Sequence, residues 1–171
     1  MVRCKNQRAR GGQAIIEYVL IYAVILLPLT FMVTFTAQLL WTWNSGVEWA
    51  RNGARYAATH CAQGGGANVA NFMRNNVPLN LGQDQFTGGG VTLAVQYFRR
   101  DADAGALVEF ECASECSTEC TPDVVTVRVQ NYQFRGMQNY LGLAPLTMPE
   151  WTTTVPVESA GCDPETGECN P

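Results

Sequence analysis

The chain has few charged residues, and those it has are unevenly distributed. Asp, Glu, Lys and Arg make up 15% of the 171 residues, against about 25% in an average globular protein. Four of the eleven basic residues lie in the first twelve positions, which contain no acidic residue. The rest of the chain carries a formal charge of −8, from seven basic and fifteen acidic residues. Nucleic-acid binding requires clustered basic residues in the folded part, so we expect no nucleic-acid partner.

Side chains that could carry acid–base or nucleophilic catalysis are also scarce. The single histidine, His60, lies at the end of a predicted helix, where it suits the free backbone carbonyls. No GxSxG, HExxH, Walker or GxGxxG motif occurs in the context that each requires. A group of carboxylates has the spacing of a solvated sheet edge: Glu109, Glu111, Glu115 and Glu119. We therefore predict a protein that is not an enzyme and that has no cofactor and no metal site.

One long stretch has no charged side chain at all. Residues 18–37, YVLIYAVILLPLTFMVTFTA, are long enough as a helix to span the ~30 Å hydrocarbon core of a bilayer. Basic residues precede this stretch and none follows until Arg51, which predicts a cytoplasmic N-terminus and an extracytoplasmic remainder. The alternative is a cleaved secretory signal peptide, whose apolar region is typically ~7–15 residues long. The longer run here favours a membrane helix.

The helical pattern continues beyond the apolar stretch. Apolar residues recur at spacings of three and four and form one predicted stripe: Leu40, Trp43, Val47, Ala50, Ala54, Ala57 and Cys61. The opposite face carries Glu48 and Arg51, which are placed for an i,i+3 ion pair. Glycines at 64–66 end the helix. We predict a helix over 13–61 with a kink at Pro28, which has no N–H and crowds the preceding turn.

Beyond residue 66 the pattern changes from a helix to strands. Residues 67–77 predict one short helix, which Pro78 ends. Four runs then predict strands at 91–98, 106–112, 123–134 and 151–158. In the third run Val125, Val127 and Val129 alternate with polar residues, which predicts one buried and one wet face. We predict an α+β fold in which the outer half of the long helix covers a small antiparallel sheet of about four strands.

The part of the chain predicted to lie outside the cytoplasm contains six cysteines, an even number typical of disulfides in an oxidising compartment. They are Cys61, Cys112, Cys116, Cys120, Cys162 and Cys169. The last two bracket the turn sequence DPETGE, so we predict that Cys162 pairs with Cys169. The other pairings stay open. A zinc site is the alternative for the three cysteines within 112–120, with Cys61 or His60 as fourth ligand, although metal sites favour a shorter first spacing.

The start of the membrane helix has a feature that an ordinary anchor does not need. Glu17 is an acidic residue just inside the apolar segment, where an unpaired carboxylate is costly. It belongs to the sequence GGQAIIEY, in which a basic leader is followed by glycine, four residues and Glu-Tyr. This pattern resembles the prepilin processing site of the tight-adherence (Flp, type IVc) pilus system. Together with the later ARNGARYAA, it resembles the TadE-like pseudopilins, which are longer than the major Flp pilins.

The resemblance implies how the chain is processed and assembled. A membrane prepilin peptidase would cut between Gly12 and Gln13, which makes Glu17 the fifth mature residue and Tyr18 the sixth. A cut after Gly11 would move Glu17 to position six. In pilin-like proteins this carboxylate pairs with the N-terminal amine of a neighbouring subunit. The resemblance therefore assigns Glu17 and Tyr18 to assembly.

The same resemblance implies a pilin-like organisation: a leader at 1–12, a membrane helix at 13–37, its extracytoplasmic continuation at 38–63 and a disulfide-containing domain at 64–171. We expect a minor pseudopilin of the bacterial inner membrane, with a cytoplasmic N-terminus and a periplasmic or extracellular domain, that helps to initiate or cap a pilus used in surface adherence. Its expected partners are the prepilin peptidase, other Tad pilins and pseudopilins, the inner-membrane assembly platform and membrane lipid. The alternative is an unprocessed membrane-anchored binding or adhesion domain.

Overall fold

The computed structural model describes residues 9–101, 105–110, 116, 121–137, 139, 142–157, 161–163, 166 and 169. Most of the predicted leader lies outside these residues. So do two candidate disulfide residues, Cys112 and Cys120, and the carboxylates Glu111, Glu115 and Glu119. The chain divides into two compact units, Met1–Leu40 and Trp41–Pro171.

The long helix has three parts: α1 (Ala9–Ile21), a π-helical turn (Tyr22–Leu26) and α2 (Leu27–Thr59). The π turn ends two residues before Pro28. Because proline has no N–H and its ring crowds the carbonyl four residues earlier, a regular α-helical turn is unfavourable there. The amide of Leu27 instead donates to the carbonyl of Tyr22, five residues back. The irregularity predicted at Pro28 therefore takes the form of a wider turn, and the helix ends two residues before the predicted limit.

The apolar stretch has the length and composition of a membrane span. Within the helical residues Gly12–Thr59, the most apolar 18-residue window has a mean hydropathy of 2.3 and none of it is buried. Leu20, Val24 and Leu29 are examples of its exposed side chains. An apolar helix that no protein covers requires an apolar environment from elsewhere. The helix fits a single-pass membrane anchor.

The second unit contains the predicted antiparallel sheet. Its strands have the order β2-β1-β3-β6, and every neighbouring pair is antiparallel. They are β1 (Thr92–Arg100), β2 (Leu107–Glu109), β3 (Val124–Gln130) and β6 (Trp151–Pro156). A separate two-stranded sheet pairs β4 (Gln133–Phe134) with β5 (Leu146–Thr147). The α+β class and the four-stranded antiparallel sheet are confirmed.

The strand bounds differ from the prediction in two places. The single strand predicted over 123–134 is wrong, because Asn131 has a left-handed backbone conformation, with φ of 65°, that separates β3 from β4. The strand predicted over 106–112 has only the three residues of β2 among those that the structure describes. The other two strands begin and end within two residues of their predicted limits.

Two short helices complete the second unit, α3 (Ala67–Asn75), which is predicted, and α4 (Gln83–Thr87), which is not. Three contacts define the direction of α3 and of the turn after it: Asn68 with Cys61, Phe72 with Tyr56, and Asn80 with Ser45. Residue numbers rise along this segment while they fall along α2. The segment therefore runs antiparallel to α2, back towards Trp41.

The centre of the sheet is β3. Val125, Val127 and Val129 are buried, as predicted. The prediction that the other face is wet is wrong at Thr126, which is only 5% exposed. Thr126 lies on a central strand between β1 and β6, and its hydroxyl shares a 3.0 Å hydrogen bond with the hydroxyl of Thr154. Two flanking strands thus shield a position that is polar in sequence.

The stripe that α2 buries agrees with the predicted one at Ala50, Ala54 and Ala57 and differs from it nearer the start of the helix. The residues that α2 buries are Thr42, Gly46, Trp49, Ala50, Gly53, Ala54 and Ala57. Leu40, which the prediction placed in the stripe, is 58% exposed. The difference between the predicted and the buried residues arises because large side chains of the domain lie against glycines of the helix. A Cβ on Gly46 would lie 2.5 Å from the indole of Trp151, and one on Gly53 would overlap Met73.

Candidate processing and assembly segment

Gly12 lies inside α1, where glycine is unfavourable. A glycine in a helix interior costs about 1 kcal/mol relative to alanine. A Cβ on Gly12 would have no neighbour within 4 Å among the described residues, and its backbone is not in the left-handed region that favours glycine. Neither packing nor backbone conformation in this chain therefore requires a glycine at position 12.

Glu17 lies one turn after Gln13 on α1 and is exposed. The Gln13 Nε2 donates a long hydrogen bond of 3.4 Å to the Glu17 Oε1. No Lys, Arg or His among the described residues forms an ion pair with this carboxylate. In the sequence, Glu17 is the only charged residue between Arg10 and Glu48. The described residues therefore supply one neutral donor and no paired cation to a carboxylate at the start of an apolar helix.

Tyr18 and Tyr22 form an aromatic pair next to the carboxylate. Their rings are stacked across one helical turn, with centroids 6.5 Å apart. Tyrosines at the end of an apolar helix are typical of the membrane–water interface, where the ring is apolar and the hydroxyl is hydrated. The structure thus places Gly12, Gln13, Glu17 and Tyr18 within two turns of one helix, while Pro28 lies beyond the π turn.

Two disulfides lie among the described residues of the second unit. Cys61, just beyond the end of α2, bonds to Cys116, and Cys162 bonds to Cys169, the pair that the sequence predicts. The first bond ties the end of the long helix to the chain before β3. The turn before Cys162 also packs against that end, because a Cβ on Gly161 would overlap the carbonyl of Thr59. Disulfide sulfurs are not thiolates, so in this state the alternative zinc site would lack two of its candidate ligands.

His60 takes the role at the helix end that the sequence predicts. Its Nδ1 lies 3.0 Å from the carbonyl of Tyr56, and its ring stacks on the Tyr56 ring at 3.8 Å. The other face of Tyr56 stacks on Phe72. Among the residues that the structure describes, no group of three His, Cys, Asp or Glu side chains is placed to bind a metal ion.

The sequence did not indicate a groove of about 770 Å³ between α2 and the antiparallel segment that follows it. Two of its aromatic side chains already pack within the domain. Trp49 is buried and its Nε1 donates to the carbonyl of Met73, while Tyr56 lies between two rings. The signal that could have revealed the groove is the row of amide and hydroxyl side chains on one face of α2: Asn44, Ser45, Asn52 and Thr59.

Comparison with known proteins gives no family assignment. No protein-family model matches the chain, and no curated protein or solved structure matches it.

Proposed function

We propose that this protein is a minor pseudopilin of a Flp/Tad-type pilus, similar to the TadE-like pseudopilins, and that its role is structural and not catalytic. The observation that carries this proposal is Glu17, a single carboxylate at the start of an exposed apolar helix, with no ion pair to a cation among the described residues. A carboxylate in such a place needs a partner from another molecule. The amine that prepilin processing exposes is a partner of the right charge.

Gly12 supports a processing site at this position. The bond between Gly12 and Gln13 lies within α1, so a peptidase that binds an extended substrate must first unwind the helix there. Two consecutive glycines at 11 and 12 lower the cost of unwinding, since each disfavours the helix by about 1 kcal/mol relative to alanine. A glycine with no packing role in its own chain is what recognition by a peptidase would require.

Assembly follows from charge pairing at low dielectric. In the proposed filament, the Glu17 carboxylate of one subunit forms an ion pair with the N-terminal ammonium group of Gln13 of a neighbour. A buried pair is favourable only when both charges are in place, so the contact selects one axial register and disfavours others. Other pilins and pseudopilins and the assembly platform in the inner membrane are the proposed partners, and the prepilin peptidase is the processing enzyme.

The second unit is the part that such a filament would display. It has its own core, and its described residues include two disulfides, which suit a periplasmic or extracellular location. The proposed orientation has the basic N-terminus in the cytoplasm and this domain outside. We propose that the subunit helps to initiate or cap the pilus and so serves adherence to surfaces.

Intact-mass measurement on protein purified from its native membrane tests processing. The proposal predicts a mature chain that begins at Gln13. A chain that retains residues 1–12 would contradict it and would support the alternative, an unprocessed membrane-anchored binding or adhesion domain. Loss of the chain up to about residue 37 would instead support a secreted domain released by a signal peptidase.

A further inference from the structure

Large apolar side chains that are exposed in the second unit are not spread evenly over its surface. Among the described residues they are Trp41, Leu79, Leu107, Val108, Leu143 and Leu146. Leu107 pairs with Arg100 and Val108 pairs with Arg99 at the end of β1. Contacts given below place Trp41, Leu79 and Leu146 at the opposite end of the sheet, and Leu143 lies three residues before Leu146. Grouped apolar exposure of this kind marks an interaction surface.

Leu79 is held near the first turns of α2 in this unit. It is 94% exposed, although its neighbours are fixed. The Nδ2 of Asn80 donates to the Ser45 Oγ at 2.6 Å, the amide of Leu81 donates to the carbonyl of Pro78, and the Leu81 side chain is fully buried. Ser45 lies one helical turn from Trp41, which is 66% exposed. A rigid turn therefore presents a leucine to solvent beside an exposed tryptophan.

The β4–β5 hairpin brings Leu146 to the same end, with Leu143 three residues before it in the chain. The Trp151 ring, at the start of β6, packs edge-on against Trp43 at 6.2 Å, and Tyr132 packs on Trp151 at 5.0 Å. Tyr132 leads into β4, and its carbonyl accepts from the amide of Met148, just after β5. Leu143 and Leu146 belong to this hairpin. Its base therefore lies close to the beginning of α2 in this unit.

Covalent connection identifies what faces this end. The apolar helix that fits a membrane anchor joins the second unit at Trp41. We infer that the end of the domain formed by Trp41, Leu79, Leu143 and Leu146, the membrane-facing end, rests on the lipid bilayer and inserts its leucines into the interfacial region. The inference requires the membrane anchor, but it requires neither processing nor assembly into a pilus.

The charges at this end indicate how it binds. Asp84 and Arg135 form an ion pair at 3.0 Å with each other, and Glu150 accepts a hydrogen bond from Gln130. These described residues give no excess of positive charge to attract anionic headgroups. Binding therefore comes from burial of apolar side chains in the interface, to which an exposed tryptophan is well suited. The contact should be insensitive to lipid charge.

Methyl NMR of the full chain in phosphatidylcholine nanodiscs, one copy per disc, tests the inference with nitroxide-labelled lipid as the probe. We expect the leucine methyl signals of Leu79, Leu143 and Leu146 to lose most of their intensity, while Leu107 keeps its own. Leu20, in the apolar helix, reports insertion. If Leu20 is attenuated and Leu79 behaves like Leu107, the inference is wrong although the anchor is right. If the Leu20 signal also keeps its intensity, the apolar helix is not inserted in the bilayer, and both the membrane anchor and this inference are contradicted.

Two further measurements separate lipid from other occupants. Exchange of the lipid for phosphatidylglycerol should leave the attenuation unchanged, and a strong increase would show electrostatic docking in place of apolar insertion. Leu79→Ser should reduce the attenuation at Leu146, while the control Leu107→Ser should not. If Leu79 is unaffected by labelled lipid but shifts when two copies share a disc, the surface is a contact between subunits and the inference is overturned.

Discussion

At the scale of single residues, Gly12 is a position that the described part of its own chain does not constrain. Nothing in the described structure lies near it, so Gly12→Ala should leave the fold and membrane insertion unchanged. We expect the variant to be processed poorly or not at all, because a side chain at the scissile bond obstructs close approach of the peptidase. Intact mass of the membrane fraction measures this. Gly11→Ala, which stabilises the helix but leaves the scissile bond unchanged, should mature more slowly and to the same mass as wild type. Normal maturation of Gly12→Ala would count against the site.

Glu17 makes a second prediction at this scale. Glu17→Gln removes a charge from an apolar helix, so insertion should be unchanged or improved, and the domain should fold because its core lies within residues 41–171. Incorporation into filaments should fail, since an unpaired amine would remain in a buried contact, a loss of typically ~3–5 kcal/mol. Pilus formation and co-purification with the other pilins are the measurements. A variant that is processed, stable and still forms normal filaments would refute the assembly role.

At the scale of elements, the helix that covers the sheet depends on small residues. Gly46→Ala places a methyl group against the indole of Trp151, and overpacking of this kind costs about 1–3 kcal/mol, more than the gain in helix propensity. Gly53→Ala should cost less, because the Met73 chain is flexible and can move aside. Denaturant unfolding measures both, with the exposed Asn52→Ala as control. Equal stability of Gly46→Ala and wild type would show that Trp151 does not pack as described.

The buried side-chain amide of Gln85 links α4 to β4. The Gln85 side chain donates to the carbonyl of Gln133 at 2.8 Å and accepts from its amide at 2.9 Å, as a neighbouring strand would. Gln85→Ala leaves both backbone groups unpaired and should lower the free energy of unfolding by about 2 kcal/mol. Gln83→Ala, on the exposed side of the same helix, should change it little. Similar losses for the two variants would contradict this pairing role.

The sequence predicts those elements whose pattern is local. The apolar helix and the alternation of Val125, Val127 and Val129 depend on neighbouring residues, and the structure agrees with them. The glycines at 64–66 instead form the turn into α3, because the long helix has already ended at Thr59. The prediction from sequence is wrong where a residue that is distant in the chain determines burial. Thr126 is buried by flanking strands, and Gly46 is buried because Trp151 reaches it from far along the chain. Of the candidate site, the spacing of Gly12 and Glu17 is legible in sequence, whereas the lack of packing around Gly12 is not.

At the scale of the whole molecule, alkaline pH should lower the free energy of unfolding of the domain because Tyr97 ionises more readily in the unfolded chain. Burial raises the pKa of Tyr97 from 10.0 to about 12, and burial also raises the pKa of Tyr132. Because the unfolded chain ionises first, the stability is complete below pH 10 and is lost as pH rises from 10 to 12, by about 3 kcal/mol for Tyr97. Tyr97→Phe should remove most of this loss, since the Tyr97 hydroxyl has no hydrogen-bond partner among the described residues. Denaturant unfolding at neutral pH and at about pH 11 checks this, and an unchanged pH dependence in the variant would assign the loss to other groups.

The packing of Trp151 against Gly46 also sets an order of events during synthesis. Gly46 is made early and the indole that covers it is made late, so the surface of α2 around Gly46 stays uncovered while strands β1 and β3 are still emerging. In the proposed orientation, the domain closes only after β6 has crossed the membrane. Any copy interrupted before Trp151 keeps an exposed apolar helix face, which chaperones and proteases recognise. Packing of Trp151 on Gly46 therefore distinguishes complete from interrupted chains, because only chains translocated at least through β6 can close the domain.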